Sequence, residues 1–124
     1  MISADPSVAH MGIFDNLLGH ISLTPEETER FSCHLQVTEH TPRAFLWHTA
    51  TDEAVSVMNS LLYAQALTAN RVPFALHIYP SGCHGLATVD QQTNGQLEQA
   101  AAYAADCLDA ARKWLRITLK LENK

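Results

Sequence analysis

Two short segments hold the residue types that acid–base chemistry needs. One is His48-Thr-Ala-Thr-Asp52-Glu53, and the other is Tyr79-Pro-Ser-Gly-Cys-His84-Gly85. A carboxylate can accept a hydrogen bond from one imidazole nitrogen and leave the other nitrogen as a base. Asp52 and His84 are therefore the candidate catalytic pair, Asp52 to orient and His84 to move protons. On the residues alone a structural use stays open. Asp52 can cap a helix that starts near Ser56, and His84 can be a turn residue. Glu53 is expected to face solvent.

The other candidate groups point elsewhere. His48 and His77 fall inside apolar runs and read as buried histidines with satisfied hydrogen bonds rather than ligands. His10, His20, His34 and His40 fall in loops and read as surface residues. Cys33-His34 and Cys83-His84 are sequence neighbours whose side chains diverge, and no HExxH, HxH or CxxC spacing occurs, so no metal is expected. Cys83 is a poor nucleophile candidate, because a nucleophile and its base meet across a fold rather than along a chain.

The flanking pattern predicts how the pair is positioned. Ala44–His48 is a short apolar run after Pro42 and reads as a strand buried on both faces. Residues 56–70 read as a helix, with Val57, Leu61, Ala64, Leu67 and Thr68 on one face and Asn70 as a left-handed stop. Phe74–Tyr79 is a second buried strand. Strand, helix and strand joined by short links make parallel neighbours. Both candidate loops then leave the carboxyl ends of adjacent parallel strands, where open α/β sheets gather their ligands.

Four further elements are expected. A short helix covers Ile13–Leu18 and stops at Gly19. Thr24-Pro-Glu-Glu27 is a capping box that starts a helix over 25–31. Residues 81–94 form a loop with Gly82, Gly85 and Gly95 near its bends. Residues 96–119 form one long helix whose stripe, Leu97, Ala101, Ala104, Leu108, Ala111 and Leu115, packs in the core beside Trp114. Two strands cannot cover themselves well, so residues 1–10 either add an edge strand or leave cover to another chain. The fold class is α/β.

Taken with their order, these segments resemble the C-terminal part of α/β-hydrolase esterases and lipases of the acetyl-xylan-esterase-like group. The likeness lies in FLWHTATDEAV (Phe45–Val55), the helix from about Asn59-Ser-Leu-Leu, RVPFALHIYPSGCHG (Arg71–Gly85) and the upstream HMGIFDNLLG (His10–Gly19). The resemblance implies a partial α/β-hydrolase fold, carboxylic-ester hydrolysis, Asp52 as triad acid and His84 as triad base. It implies no cofactor. Ile2-Ser3-Ala4 would be the tail of one more strand.

The sequence departs from that group in one decisive respect. The group's serine sits in a G-x-S-x-G elbow ahead of the Asp and His. No G-x-S-x-G occurs here, and no Gly-rich oxyanion loop precedes Asp52. Residues 1–124 then read as a single unit equivalent to the part of a hydrolase domain after the nucleophile. The small ester substrate would be bound only with the missing half. The isolated chain is expected to be inactive, because base and acid need a nucleophile and an anion-stabilising site. The other class of reading is a non-catalytic module derived from a hydrolase that self-associates.

Composition bounds the rest. The chain has 124 residues, 47% apolar and 17% charged, which fits one folded domain and excludes a disordered chain. Eight Lys+Arg against thirteen Asp+Glu give a net charge of -5, with no basic cluster to suit nucleic acid or an anionic membrane. No apolar run approaches the roughly 18–20 residues that span a bilayer. The first residues lack a basic and apolar leader, and three scattered cysteines make no disulfide framework. A reduced, cytoplasmic protein that forms a homo-oligomer is expected.

Overall fold

The computed structural model describes residues 2–86 and 101–121. Among them the order is α1 (Gly12–Leu18), α2 (Pro25–Phe31), a 3-10 turn (Cys33–Gln36), β1 (Ala44–Thr49), α3 (Met58–Ala69), β2 (Phe74–Tyr79), a 3-10 turn (Ala101–Ala104) and α4 (Cys107–Thr118). The architecture is α/β. β1 and β2 form a two-stranded parallel sheet in register from Ala44↔Phe74 to Thr49↔Tyr79.

The pleat sends alternate side chains to opposite faces, and each face has its own cover. Ala44, Leu46 and Phe74 pack with Val37, Leu67 and Val72, so α3 lies on one face. Trp47 and Tyr79 pack with Leu86, Ala104 and Cys107, so α4 lies on the other. Phe45 extends the second layer, 5.1 Å from the His77 ring and 5.9 Å from Trp114 between centroids. His77 is half-buried among these rings and stacks on Tyr79.

The helix starts follow from local chemistry. Thr24 Oγ1 accepts from the Glu27 N–H at 3.2 Å, and Glu27 Oε2 accepts from the Thr24 N–H at 2.9 Å. That reciprocal box satisfies two helix-end donors that would otherwise lack partners. Gly19 closes α1 at φ 76°, a left-handed angle that costs glycine little. Phe14 on α1 is buried against Phe31 of α2, with ring centroids 6.1 Å apart.

Several expectations are corrected. The strands are half-buried rather than covered on both faces, because a two-stranded sheet leaves each strand with an open edge. Residues 2–10 add no strand. Instead Ser3 and Ala4 are fully buried and the N–H groups of this segment bond side chains: Asn59 Oδ1 accepts from Ile2 and Ser3 at 3.1 and 2.8 Å, and Ser32 Oγ accepts from Ala4 at 3.0 Å. His34 is half-buried in this clamp, its Nδ1 3.2 Å from the Ile2 carbonyl, and His20 is half-buried with its ring 3.3 Å from Glu27.

The two longer helices also differ in detail. The buried face of α3 is Asn59, Ser60, Ala64 and Leu67, while Leu61 is 41% exposed. Its first turn spends buried positions on hydrogen bonds rather than apolar packing. Asn70 keeps a negative φ of -94°, and Arg71 takes the positive φ of 57°. At the C-terminal end a 3-10 turn over Ala101–Ala104 precedes α4, so one continuous helix does not form across residues 101–106. Ala104 is buried and Leu108 half-buried, but Leu115 is 44% exposed. Gly95, Leu97 and the predicted helix start at 96 lie outside the described residues.

Candidate active site

β1 and β2 deliver their C-terminal loops side by side. The Ala50 N–H donates to the Tyr79 carbonyl at 2.8 Å, carrying the pairing one step past the strands. The loops are then fastened at Gly82. Thr49 and Thr51 hydroxyls donate to its carbonyl at 2.8 and 3.2 Å, and its own N–H donates to Thr51 Oγ1 at 2.9 Å. Gly82 has φ 150°, and a Cβ there would lie 2.7 Å from both Leu86 Cδ1 and Thr49 Cγ2. Only glycine fits both that angle and that space.

Fastened in this way, the second loop lays the His84 ring on Asp52. His84 Nδ1 donates to Asp52 Oδ2 at 2.8 Å, and Nε2 remains to exchange protons. The Asp52 side chain is 7% exposed and the His84 side chain 56% exposed, so the acid is enclosed and the base is reachable. Asp52 Oδ1 accepts from the Ala54 and Val55 N–H groups at 3.0 and 2.8 Å. This tight turn is the structural use of Asp52. The carboxylate caps the 52–55 turn with one oxygen and orients His84 with the other, and α3 itself begins later, at Met58.

These contacts set the charge state of the acid. Burial pushes the Asp52 carboxyl up, but the Val55 N–H, the His84 ring and the Ala54 N–H together outweigh it and hold it below its ordinary value. Asp52 is therefore a carboxylate near neutral pH. Glu53 beside it is exposed, as expected.

A cavity of about 230 Å3 opens over the pair, lined by Trp47, His48, Asp52, Val55, His84 and Leu86 among others. Cys83 also lines it and is exposed. Among the described residues no group of three His, Cys, Asp or Glu side chains is arranged to hold a metal ion. No helix of the described residues is long and apolar enough to cross a membrane.

His48 stands behind the acid. Its Nε2 lies 2.9 Å from the Val55 carbonyl and 3.5 Å from Asp52 Oδ2, and its Nδ1 lies 2.8 Å from Ser60 Oγ. Both ring nitrogens have partners, as the sequence suggests for a buried histidine. What the sequence does not reveal is that one of them reaches the Asp52 turn. Gly82, Thr49, Thr51 and Ser60 carry no motif either, and their roles appear only when the two loops and α3 meet.

Residues 8–111 match the family model described as the prolyl oligopeptidase family. The chain belongs to that family. The family likeness extends to solved α/β-hydrolases. The acetyl ester-xyloside bifunctional hydrolase of Caldicellulosiruptor lactoaceticus is 38% identical with a TM-score of 0.80, over 94% of this chain and 39% of that one. A carboxylesterase of Lactobacillus plantarum is 33% identical with a TM-score of 0.71, over 79% of this chain and 36% of that one. A sugar hydrolase of Lactococcus lactis is 30% identical with a TM-score of 0.72, over 95% of this chain and 44% of that one. Endo-1,4-beta-xylanase B of Butyrivibrio fibrisolvens is 42% identical over 69 residues, 56% of this chain and 11% of its own length. The fold of this family member is thus a partial α/β-hydrolase fold. It spans only about two fifths of each of those solved hydrolases.

Proposed function

We propose that these 124 residues supply the acid and base of a serine-type carboxylic-ester hydrolase, with Asp52 as the acid and His84 as the base. The observation that carries this reading is the 2.8 Å contact between an enclosed carboxylate and an exposed imidazole at the tips of adjacent parallel strands. His84 Nε2 would take the proton of a serine hydroxyl as that oxygen attacks the ester carbonyl. It would then return the proton to the leaving alcohol. Asp52 would stay ionised and stabilise the imidazolium.

The serine and its oxyanion donors would come from chain outside these residues. Two observations support this: the sequence holds no G-x-S-x-G, and it spans about two fifths of the solved hydrolases it matches. Residues 1–124 would then be one unit, the C-terminal part of a hydrolase domain. Acetyl or other short acyl esters on sugars are the substrate class that the Caldicellulosiruptor likeness favours. The three cysteines, without a pairing pattern, fit a reducing, cytoplasmic setting.

A chimera tests the reading. Residues 1–124 replace the matching segment of the Caldicellulosiruptor hydrolase, and hydrolysis of short-chain acyl esters is measured. Activity that disappears with His84→Ala supports the assignment. Activity indifferent to that change refutes it. The isolated chain should show no turnover above buffer. The reading frame upstream of Met1 in the genomic DNA should encode a G-x-S-x-G in frame.

A second reading has its own observation. Leu115, Ile117, Leu119 and Leu121 are 44, 70, 59 and 55% exposed, which suits a surface that associates with another copy of the chain. Sedimentation at micromolar concentration separates the two readings: a clean monomer removes this one.

A further inference from the structure

We propose that His48 is a positioning residue for Asp52, acting through Val55. This rests on the reading of Asp52 as the orienting acid. The Val55 carbonyl fixes the direction of its own bond to the ring. A carbonyl can only accept, so the 2.9 Å contact with the Val55 oxygen places a proton on His48 Nε2. In the neutral form of the ring, Nδ1, 2.8 Å from the Ser60 hydroxyl, holds the lone pair that accepts the hydroxyl proton. The ring is held at both nitrogens. It is also well enclosed, its side chain 12% exposed and Ser60 4% exposed.

The locked ring grips a residue whose other side serves the acid. The Val55 carbonyl is held by His48, and the Val55 N–H donates to Asp52 Oδ1 at 2.8 Å. The relay therefore runs from Ser60 on α3, through His48 on β1, through Val55, to Asp52, whose second oxygen meets His84. His48 Nε2 also lies 3.5 Å from Asp52 Oδ2. Among the described residues the titratable groups that line the same cavity as His48 and Val55 are Asp52, Cys83 and His84. The Val55 N–H is the largest of the influences that lower the Asp52 carboxyl, although burial, which raises it, is larger still. Releasing Val55 should leave burial less opposed, so Asp52 should become a weaker acid.

The test is an NMR titration of the Asp52 side-chain carboxyl in the 124-residue chain, alongside thermal unfolding. In His48→Leu, Asp52 should hold its proton roughly threefold or more tightly than in the parent chain. In His48→Gln an amide N–H can reach the same carbonyl, and the parent titration should return. Ser60→Ala keeps the ring and most of the volume but removes one of the two contacts that fix the tautomer. It should add an Nδ1–H population in ring-nitrogen spectra and raise the Asp52 titration. It decides the matter if His48→Leu does not fold. A purely packing role predicts lower melting temperatures with Asp52 titrating as in the parent in every folded variant, and that result overturns the proposal. Failure of the acid assignment is read separately: a chimera that keeps full activity with Asp52→Asn removes the reading beneath it and leaves the titration result standing.

Discussion

Asp52 Oδ2 and His84 Nδ1 lie 2.8 Å apart although 32 residues separate them along the chain. Neither loop makes this contact by itself. Parallel pairing from Ala44↔Phe74 to Thr49↔Tyr79 aligns the strand ends, and the Gly82 fastening sets the second loop against the first. The acid also serves its own turn through Oδ1, and those bonds hold its rotamer without His84.

Removing either partner should act on the chemical step. In the chimera His84→Ala should lower kcat by roughly a thousandfold or more, and Asp52→Asn should lower it nearly as far, with KM little changed. Initial rates across substrate concentration check this. A large KM effect with kcat unchanged would argue for a binding role instead.

Acid should weaken the fold partly through Asp52. Its folded-state pKa lies below the ordinary 3.8, so its contribution is present above about pH 4 and disappears as pH falls through the folded value. Urea unfolding between pH 5 and pH 2, ranges chosen around that ordinary carboxylate value, should show a flatter decline in Asp52→Asn. Some slope must remain, because the Ser7 hydroxyl lowers Asp5 and the Thr24 N–H lowers Glu27.

Alkali should single out one tyrosine. Burial first, and then the hydrogen bond that Tyr79 donates to Asp106 at 2.9 Å, push the Tyr79 hydroxyl up to about 12. Stability linked to this group is complete below the unfolded value near 10 and declines as pH rises toward 12. Phenolate absorbance should reveal one late-titrating tyrosine that Tyr79→Phe deletes. Asp106→Asn should bring it part of the way down and leave the burial effect in place.

Asn59 holds the N-terminal segment with three contacts. It accepts from Ile2 and Ser3 and donates to the Val8 carbonyl at 2.9 Å. Asn59→Ala should cost about 1–3 kcal/mol, because it leaves buried backbone groups without partners. Hydrogen exchange should accelerate at Ile2 and Ser3 while the strand amides stay protected. Unchanged exchange there would count against the clamp.

Gly82→Ala should misplace His84 without touching it. The added methyl meets Leu86 and Thr49 at 2.7 Å and the backbone is held at φ 150°, a combination expected to cost about 1–3 kcal/mol. The melting temperature should fall, and the chimera should lose activity even though the Asp52 and His84 side chains are intact. Full activity would mean the loop finds another route to the same contact.

Much of this molecule is legible along the chain because its signals are local. The Thr24–Glu27 box sets α2 at 25–31, Gly19 ends α1, and two short apolar runs joined by a helix specify parallel strands. Asp52 and His84 are legible for the same reason: each stands just past a strand end, where catalytic loops project. Residues that work at a distance are not legible in this way. Asn59 and Ser60 lie off the apolar stripe read along α3, and their burial gains a reason only when the segment at Ile2–Ala4 and the ring of His48 arrive beside them. Gly82 looks like any loop glycine until Thr49 and Leu86 close on it. Propensity, capping and periodicity act within a few residues, so sequence determines the elements and the candidate pair. Hydrogen bonds and close contacts between remote segments exist only after the chain has packed, so tertiary structure alone decides how the acid is held and where the base is laid.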